Sequence, residues 1–384
     1  MKRIILLVCY TVLLASVFSL SQTKPRARDL GVPFDGTPGS LNAITDVIGV
    51  EVGHSTLISG DGALLVGRGP VRTGVTVVLP RGKKSSDPVF AGWFSLNGNG
   101  EMTGTAWLDE AGLLEGPIGI TNTHSVGVVR DAIIAWRLKN AGPDAAGFAW
   151  SLPVVAETWD GYLNDANGFH VKEKHVFEAL DSARGGPVAE GNVGGGTGMV
   201  CHEFKGGIGT ASRKLGERAG GYTVGVLVQA NYGLRRQLRI AGVPVGAEIL
   251  DGAFRSSEEG SIIIVIATDA PLLPHQLKRL ARRASLGLGR MGSVSGNGSG
   301  DLFLAFSTAN PEAGKSSGVA SLQMLPHDRM DSVFTATVQA TEEAIVNALV
   351  AADTMIGRDN HRVIALPHGR LREVLRKYNR LFQK

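Results

Sequence analysis

Apolar positions along this chain gather into short runs that are punctuated by glycine and proline, and the runs alternate between strand-like and helix-like periods. Residues 47–52 and 74–79 read as strands, the first ended by Gly53 and the second by Pro80-Arg81-Gly82. Residues 118–121 form a further short strand, and 222–230 alternate well enough for another. The strongest strand is 261–268, an unbroken β-branched run of the kind found in sheets covered on both faces. Residues 301–307 give one more strand. Helical spacing appears at 125–138, where Val128, Ile133 and Ile134 share a face, then from Pro274 to about Leu288, and at 341–355 and 369–381. Strands and helices mixed throughout, with glycine-rich connections, predict an α/β or α+β domain with buried sheet surfaces and helices outside. No 20–50-residue repeat is evident.

The first residues are patterned differently. Lys2 and Arg3 precede an apolar run over 4–20, followed by Ser19-Leu20-Ser21 and a polar stretch. This is the layout of a secretory signal peptide ending at residue 21, with residues 22–384 as one exported, periplasmic or secreted domain. An uncleaved anchor is the alternative, since the run is barely long enough to span a bilayer. No later segment predicts a stable membrane insertion.

Composition narrows the picture further. Glycine supplies 52 of 384 residues, about twice ordinary usage, without a Gly-X-Y period, so tight turns and close backbone approaches are expected. A net charge of +4 is too weak to suggest a nucleic-acid partner. The cluster Lys278, Arg279, Arg282 and Arg283 falls at helical spacing and reads as a solvated face. Of two cysteines, Cys9 lies in the leader, and Cys201 reads as a small buried residue. His202-Glu203 lacks the second histidine of a zinc helix, and residues 194–198 lack the Gly-Lys-Ser/Thr of a phosphate loop. Ser299 lacks the glycine two residues before it that a nucleophile elbow carries. No cofactor or metal is expected.

One junction has more chemical potential. Gly260-Ser261 stands directly before the strongest strand. Cut there, the chain would begin with a serine whose hydroxyl and α-amine belong to one residue. An α-amine has an unperturbed pKa of roughly 7.7–8.0 and can act as base for its own hydroxyl. The same dipeptide is also an ordinary strand start.

Seven segments decide between these. They are NAITDVIGV at 42–50, RTGVT at 72–76, TNTHSVG at 121–127, ETWDGYLND at 157–165, GNVGGGTG at 191–198, GS at 260–261 running into ATDAPL at 267–272, and GSGD at 298–301. In this order the chain, from about Arg28 to the last helix, resembles the family of L-aminopeptidase/D-esterase-amidases and β-peptidyl aminopeptidases, the DmpA type. The resemblance implies a four-layer α/β/β/α sandwich and a precursor that cleaves its own Gly260–Ser261 bond into fragments 22–260 and 261–384. It implies Ser261 as nucleophile, with Ser299 and Asp301 orienting its amine. It further implies Asn231 as oxyanion donor, Tyr162 as a pocket tyrosine, and Glu157 with Trp159 as the pair that receives a substrate ammonium. The substrates implied are short peptides, amides or esters with a free amine, and the assembly a homotetramer of processed pairs. Two other readings are an ornithine acetyltransferase-like enzyme, which usually carries threonine at the nucleophile, and a secreted binding protein without catalysis.

Overall fold

The computed structural model describes residues 24–141 and 150–382. The expected leader, with Cys9 and the cut after Ser21, lies outside the described residues. Among the described residues no helix is long and apolar enough to cross a membrane.

Ten strands build two sheets. The smaller has the order β1-β2-β5-β6, where β1 is Glu51–Ser59, β2 Val71–Leu79, β5 Ile118–Asn122 and β6 Val154–Thr158. The larger has six strands in the order β4-β3-β10-β9-β8-β7. Here β3 is Val89–Gly98, β4 Leu113–Leu114, β7 Gly207–Lys214, β8 Thr223–Asn231, β9 Gly260–Thr268 and β10 Ser299–Ser307. Helices α1 (Val126–Ala141) and α2 (Glu173–Ser182) cover the small sheet, and α3 (Pro274–Arg290) and α4 (Asp331–Ala351) cover the large one. The last helix, α5, is His368–Lys377.

Side-chain alternation along β9 explains the layering. Ile263, Val265 and Ala267 face the other sheet, clustering with its Val78, Ile118 and Ile120 and with Leu227, Leu302 and Leu304 of their own sheet. Ile262, Ile264 and Ile266 face the opposite way, onto Leu277, Leu280 and Ala284 of α3 and the α4 side chains. Fully burying each such side chain stabilises by roughly 1.5–3 kcal/mol, so this one strand is fixed from both sides. The result is the expected α/β/β/α sandwich.

Several elements differ from the sequence expectations. The strand predicted at 47–52 starts at Glu51 and runs through Gly53 to Ser59. Gly53 does not end it: a Cβ there would stand 2.0 Å from the Ala179 carbonyl oxygen, so glycine lets α2 lie directly on the strand. The helix predicted at 341–355 begins ten residues earlier, at Asp331, and ends at Ala351. Strands β3, β4, β6 and β7 and helix α2 have no counterpart in the prediction.

Candidate active site

The end of the large sheet brings the candidate residues together. Strand β9 lies between antiparallel β8 and parallel β10, with Ser261 paired to Asn231 on one side and to Gly300 on the other. Gly260 is paired with Ser299 and Ile262 with Asp301. The chain is continuous here, and Gly260 has φ +142°; a Cβ on it would fall 1.8 Å from the Asn231 carbonyl oxygen. Only glycine fits a backbone pressed this closely against β8.

Ser261 opens onto a cleft of about 610 Å³ lined by Gly98, Asn99, Gly100, Glu101, Thr123, Glu157, Trp159, Glu259, Gly260, Ser261 and Gly298. Its side chain shares the inter-sheet face with Ile263 and Val265, as Asn231 shares that face with Leu227. Asn231 is held rigidly: its Oδ1 accepts the Val200 N–H at 2.7 Å, and its Nδ2 donates to the Trp159 carbonyl at 2.8 Å. One amide hydrogen of Nδ2 is left over for a further acceptor.

Ser299 and Asp301 are hydrogen-bonded to each other, Ser299 Oγ donating to Asp301 Oδ1 at 2.7 Å. By alternation they sit with Phe303 and Ala305 on the helix-covered face, opposite to the Ser261 side chain. By strand pairing they flank the main chain at the head of β9, Ser299 beside Gly260 and Asp301 beside Ile262. This arrangement suits a pair that governs the nitrogen of Ser261 and not its hydroxyl directly. Burial raises the Asp301 pKa above the ordinary carboxylate value against the hydrogen bonds from Ser299, Ser295 and Ile262. Its Oδ2 is buried without a partner, as are Glu258 Oε1 and the Tyr232 hydroxyl.

Glu157 ends up 3% exposed at the rim of β6, where its Oε1 accepts the Glu101 N–H at 3.0 Å and its Oε2 accepts from the Thr123 hydroxyl. Burial raises its pKa, opposed by those two hydrogen bonds. Trp159, 37% exposed, stands two residues on at the same cleft. A carboxylate beside an exposed indole is a suitable receptor for an ammonium group. Thr123, which sequence reasoning left without a role inside its TNTHSVG segment, is thus part of the same wall.

The rest of the ETWDGYLND segment is a brace. Asp160, 1% exposed, accepts from Asn122 Nδ2 and Asn164 Nδ2, each at 3.0 Å, and Asn164 Oδ1 accepts the Arg72 N–H at 2.8 Å. Tyr162 departs from its expected pocket role. It is not among the residues lining the cleft; its ring is stacked between Phe254 at 4.4 Å and His361 at 4.5 Å. Gly194–Gly196 is a buried turn whose N–H groups donate to Thr56 and Thr76, and a Cβ on Gly195 would meet Gln229 Oε1 at 2.2 Å. Cys201 is buried and its thiol is pushed up to about 12 by burial, which keeps it unreactive. Among the described residues no group of three or more His, Cys, Asp or Glu side chains could hold a metal ion.

Comparison with known proteins places this geometry in a family. The model of peptidase family S58 matches residues 42–363. The chain belongs to peptidase family S58. It is 57% identical to the β-peptidyl aminopeptidase BapA of Sphingosinicella microcystinivorans over 94% of each chain. The protein of the same name from Sphingosinicella xenopeptidilytica is 52% identical, covering 97% of this chain and 95% of the relative. Among solved structures, a Burkholderia β-aminopeptidase superposes with TM-score 0.84 at 52% identity, covering 94% of this chain and all of the other. The L-aminopeptidase D-Ala-esterase/amidase of Ochrobactrum anthropi, described as a variant of the Ntn-hydrolase fold, gives 0.87 at 51% identity over 93% of this chain and all of its own. This member of family S58 is therefore a hydrolase of the aminopeptidase type with an N-terminal nucleophile.

Proposed function

We propose that the chain is a self-processing aminopeptidase that acts on short peptides, amides or esters with a free amino end, through an acyl-ester on Ser261. The observation that carries this reading is the meeting of Gly260–Ser261, at the head of a central strand, with Glu157 and Trp159 in one cleft. In the precursor, Ser261 Oγ attacks the Gly260 carbonyl carbon, the peptide C–N bond breaks, and the nitrogen leaves as the Ser261 amine with a proton. Water then hydrolyses the ester, giving a Gly260 carboxylate and a free hydroxyl. In turnover the amine takes the hydroxyl proton as Oγ attacks the substrate carbonyl, then gives it to the leaving amine or alcohol as the scissile C–N or C–O bond breaks. Asn231 Nδ2–H is the donor for the developing oxyanion. Ser299 with Asp301 keeps the amine oriented, and Glu157 with Trp159 receives the substrate ammonium. Water deacylates the ester.

The same reading makes residues 1–21 a removable export signal, residues 22–384 one catalytic domain active in the periplasm or outside the cell, and the assembly a homotetramer of processed pairs. Intact mass with N-terminal sequencing, beside Ser261→Ala, tests its centre. Two fragments with the second starting at Ser261, and an uncut variant, are expected. A wild-type chain that folds and stays whole would sink it. Amino-terminal sequencing of the exported first fragment, starting at Gln22, checks the signal.

A further inference from the structure

Residues 249–259 carry the chain from a short helix to β9, and they run without regular structure. They are nevertheless fastened by two buried charged side chains that play no part in the cleft. His202 and Glu203 both have positive φ, +48° and +60°, a tight left-handed turn that aims the Glu203 carboxylate at this segment. Glu203, 2% exposed, accepts with Oε1 from the main-chain N–H groups of Phe254 and Arg255, the latter at 2.6 Å. Its Oε2 accepts the Arg235 N–H at 2.7 Å. The Arg235 guanidinium, 1% exposed, donates to the carbonyls of Ile249 at 3.0 Å and Asp251 at 2.7 Å, and to those of His202 and Glu203. It lies 3.3 Å over the Phe204 ring. Further on, Phe254 stacks on Tyr162, and Arg255 donates to the Glu259 carbonyl at 2.6 Å.

Surface connections are normally satisfied by water, and burying a carboxylate and a guanidinium costs desolvation. Every bond from Glu203 and Arg235 to residues 249–255 goes to a main-chain atom, so the pair fixes the path of the backbone whatever its side chains. Beyond Glu259 the sheet takes over, gripping Gly260 and Ser261 between β8 and β10. The Gly260–Ser261 bond is thus pinned on both sides. Attack by a serine on its own preceding carbonyl needs that carbonyl turned toward Oγ, and orientation of this kind is a large part of such a rate. We infer that Glu203 and Arg235 are positioning residues for self-cleavage, holding the segment upstream of the scissile bond in a reactive pose; the inference rests on the self-processing reading above. Neither touches the mature cleft, so their contribution belongs to maturation and not to turnover.

Glu203→Gln tests this without changing volume. Its amide must set an NH2 against either Arg235 N–H or the Phe254 and Arg255 N–H groups, so one set of bonds is lost. Conversion of full-length chain would be followed by intact mass, and kcat/KM of the mature enzyme would be normalised to Ser261 amino termini. Conversion is expected to slow by roughly 10-fold or more, while normalised kcat/KM stays within about 2-fold of wild type. Phe254→Ala, at a site 37% exposed, removes the Tyr162 stack with little risk to folding and should slow conversion as well, and it decides alone if the Gln variant does not fold. Conversion at the wild-type rate in the folded variants, or normalised kcat/KM falling in step with conversion, would overturn the inference and leave self-processing intact. A wild-type chain that never converts would remove both together.

Discussion

Burial at Glu157 works against its charged form, which the proposed ammonium recognition would need. Burial raises its pKa, so the folded protein binds a proton there more readily than the unfolded chain does. By linkage, the group's contribution turns against the fold as pH rises through the ordinary carboxylate range and on through the raised folded-state value. Glu157→Gln should therefore melt at or above the wild-type temperature at neutral pH, the difference shrinking in acid, as calorimetry across pH would reveal. It should also lose a charge-assisted hydrogen bond to substrate, worth about 1.5–3 kcal/mol, or about 10- to 150-fold in kcat/KM. Discrimination between free and N-acetylated substrates should collapse with it. A variant both destabilised and fully active would contradict the assignment. The proposed oxyanion donor Asn231 presents the complementary case, because in that role its remaining N–H would matter only when the oxyanion forms. Asn231→Ala should cut kcat by roughly 10²–10³ with little change in KM. Steady-state kinetics separate this from a binding defect, in which KM would rise while kcat held.

At several places where a helix lies on a strand, the closest approach runs through glycine. Gly209 of β7 is an example: a Cβ there would approach the Ala344 carbonyl oxygen of α4 to 2.0 Å. Backbone cannot yield as a side-chain tip can, so Gly209→Ala should destabilise by about 1–3 kcal/mol or more. The expected reading is a lower Tm with KM unchanged in the soluble remainder. An unshifted Tm would show that α4 slides freely, against the packing described. The same glycines explain what the amino-acid pattern concealed. Strand β7 carries Gly207, Gly209, Arg213 and Lys214, which break up any apolar run; in the fold Arg213 is buried against Glu343 at 2.8 Å. Strand β3 is interrupted by Gly92, where a Cβ would strike the Lys278 N–H in α3. The first half of α4 is rich in Val and Thr, weak helix formers that packing holds in place. Strands β2, β5, β8, β9 and β10 were legible because continuous burial leaves a continuous apolar run. At the site, Ser261, Asn231, Ser299, Asp301, Glu157 and Trp159 were reachable by resemblance; strand pairing then explains why the first four are neighbours, and the stacking of the two sheets brings Glu157 and Trp159 to the same cleft as Ser261. Glu203 and Arg235 were not legible, since their partners are main-chain atoms that carry no sequence signal.

At the scale of the whole molecule, the strand order decides what cleavage at Gly260 can do. Strands β9 and β10 belong to residues 261–384 and lie adjacent in the middle of the large sheet. They are flanked by β8 and β7 on one side and by β3 and β4 on the other, all from the first part of the chain. Helices α3 and α4, also from the second part, complete the core against both. A cut chain therefore has no partially folded way to come apart, because losing either piece strips the other's central hydrogen-bond ladders and apolar cover. Ion pairs cross the same divide: Glu343 of α4 is bonded to Arg28 at 2.7 Å and to Arg213 at 2.8 Å. Burial alone would raise the Glu343 pKa, but the two guanidiniums and Asn42 outweigh it and hold the group below the usual value. A depressed pKa means that this stabilisation is present above the ordinary carboxylate pKa, about 4.3, and is lost as pH falls through the folded-state value. Processed protein should accordingly co-elute as one species near neutral pH and unfold in a single transition. Tryptophan fluorescence is a sharp probe, since all five tryptophans precede residue 261 while the two longest described helices follow it. Fluorescence and far-ultraviolet circular dichroism should give coincident urea curves, with the midpoint falling most steeply below about pH 4.3. Separate transitions, or free fragments in mild buffer, would mean that the interleaved sheet does not govern the stability of the mature enzyme.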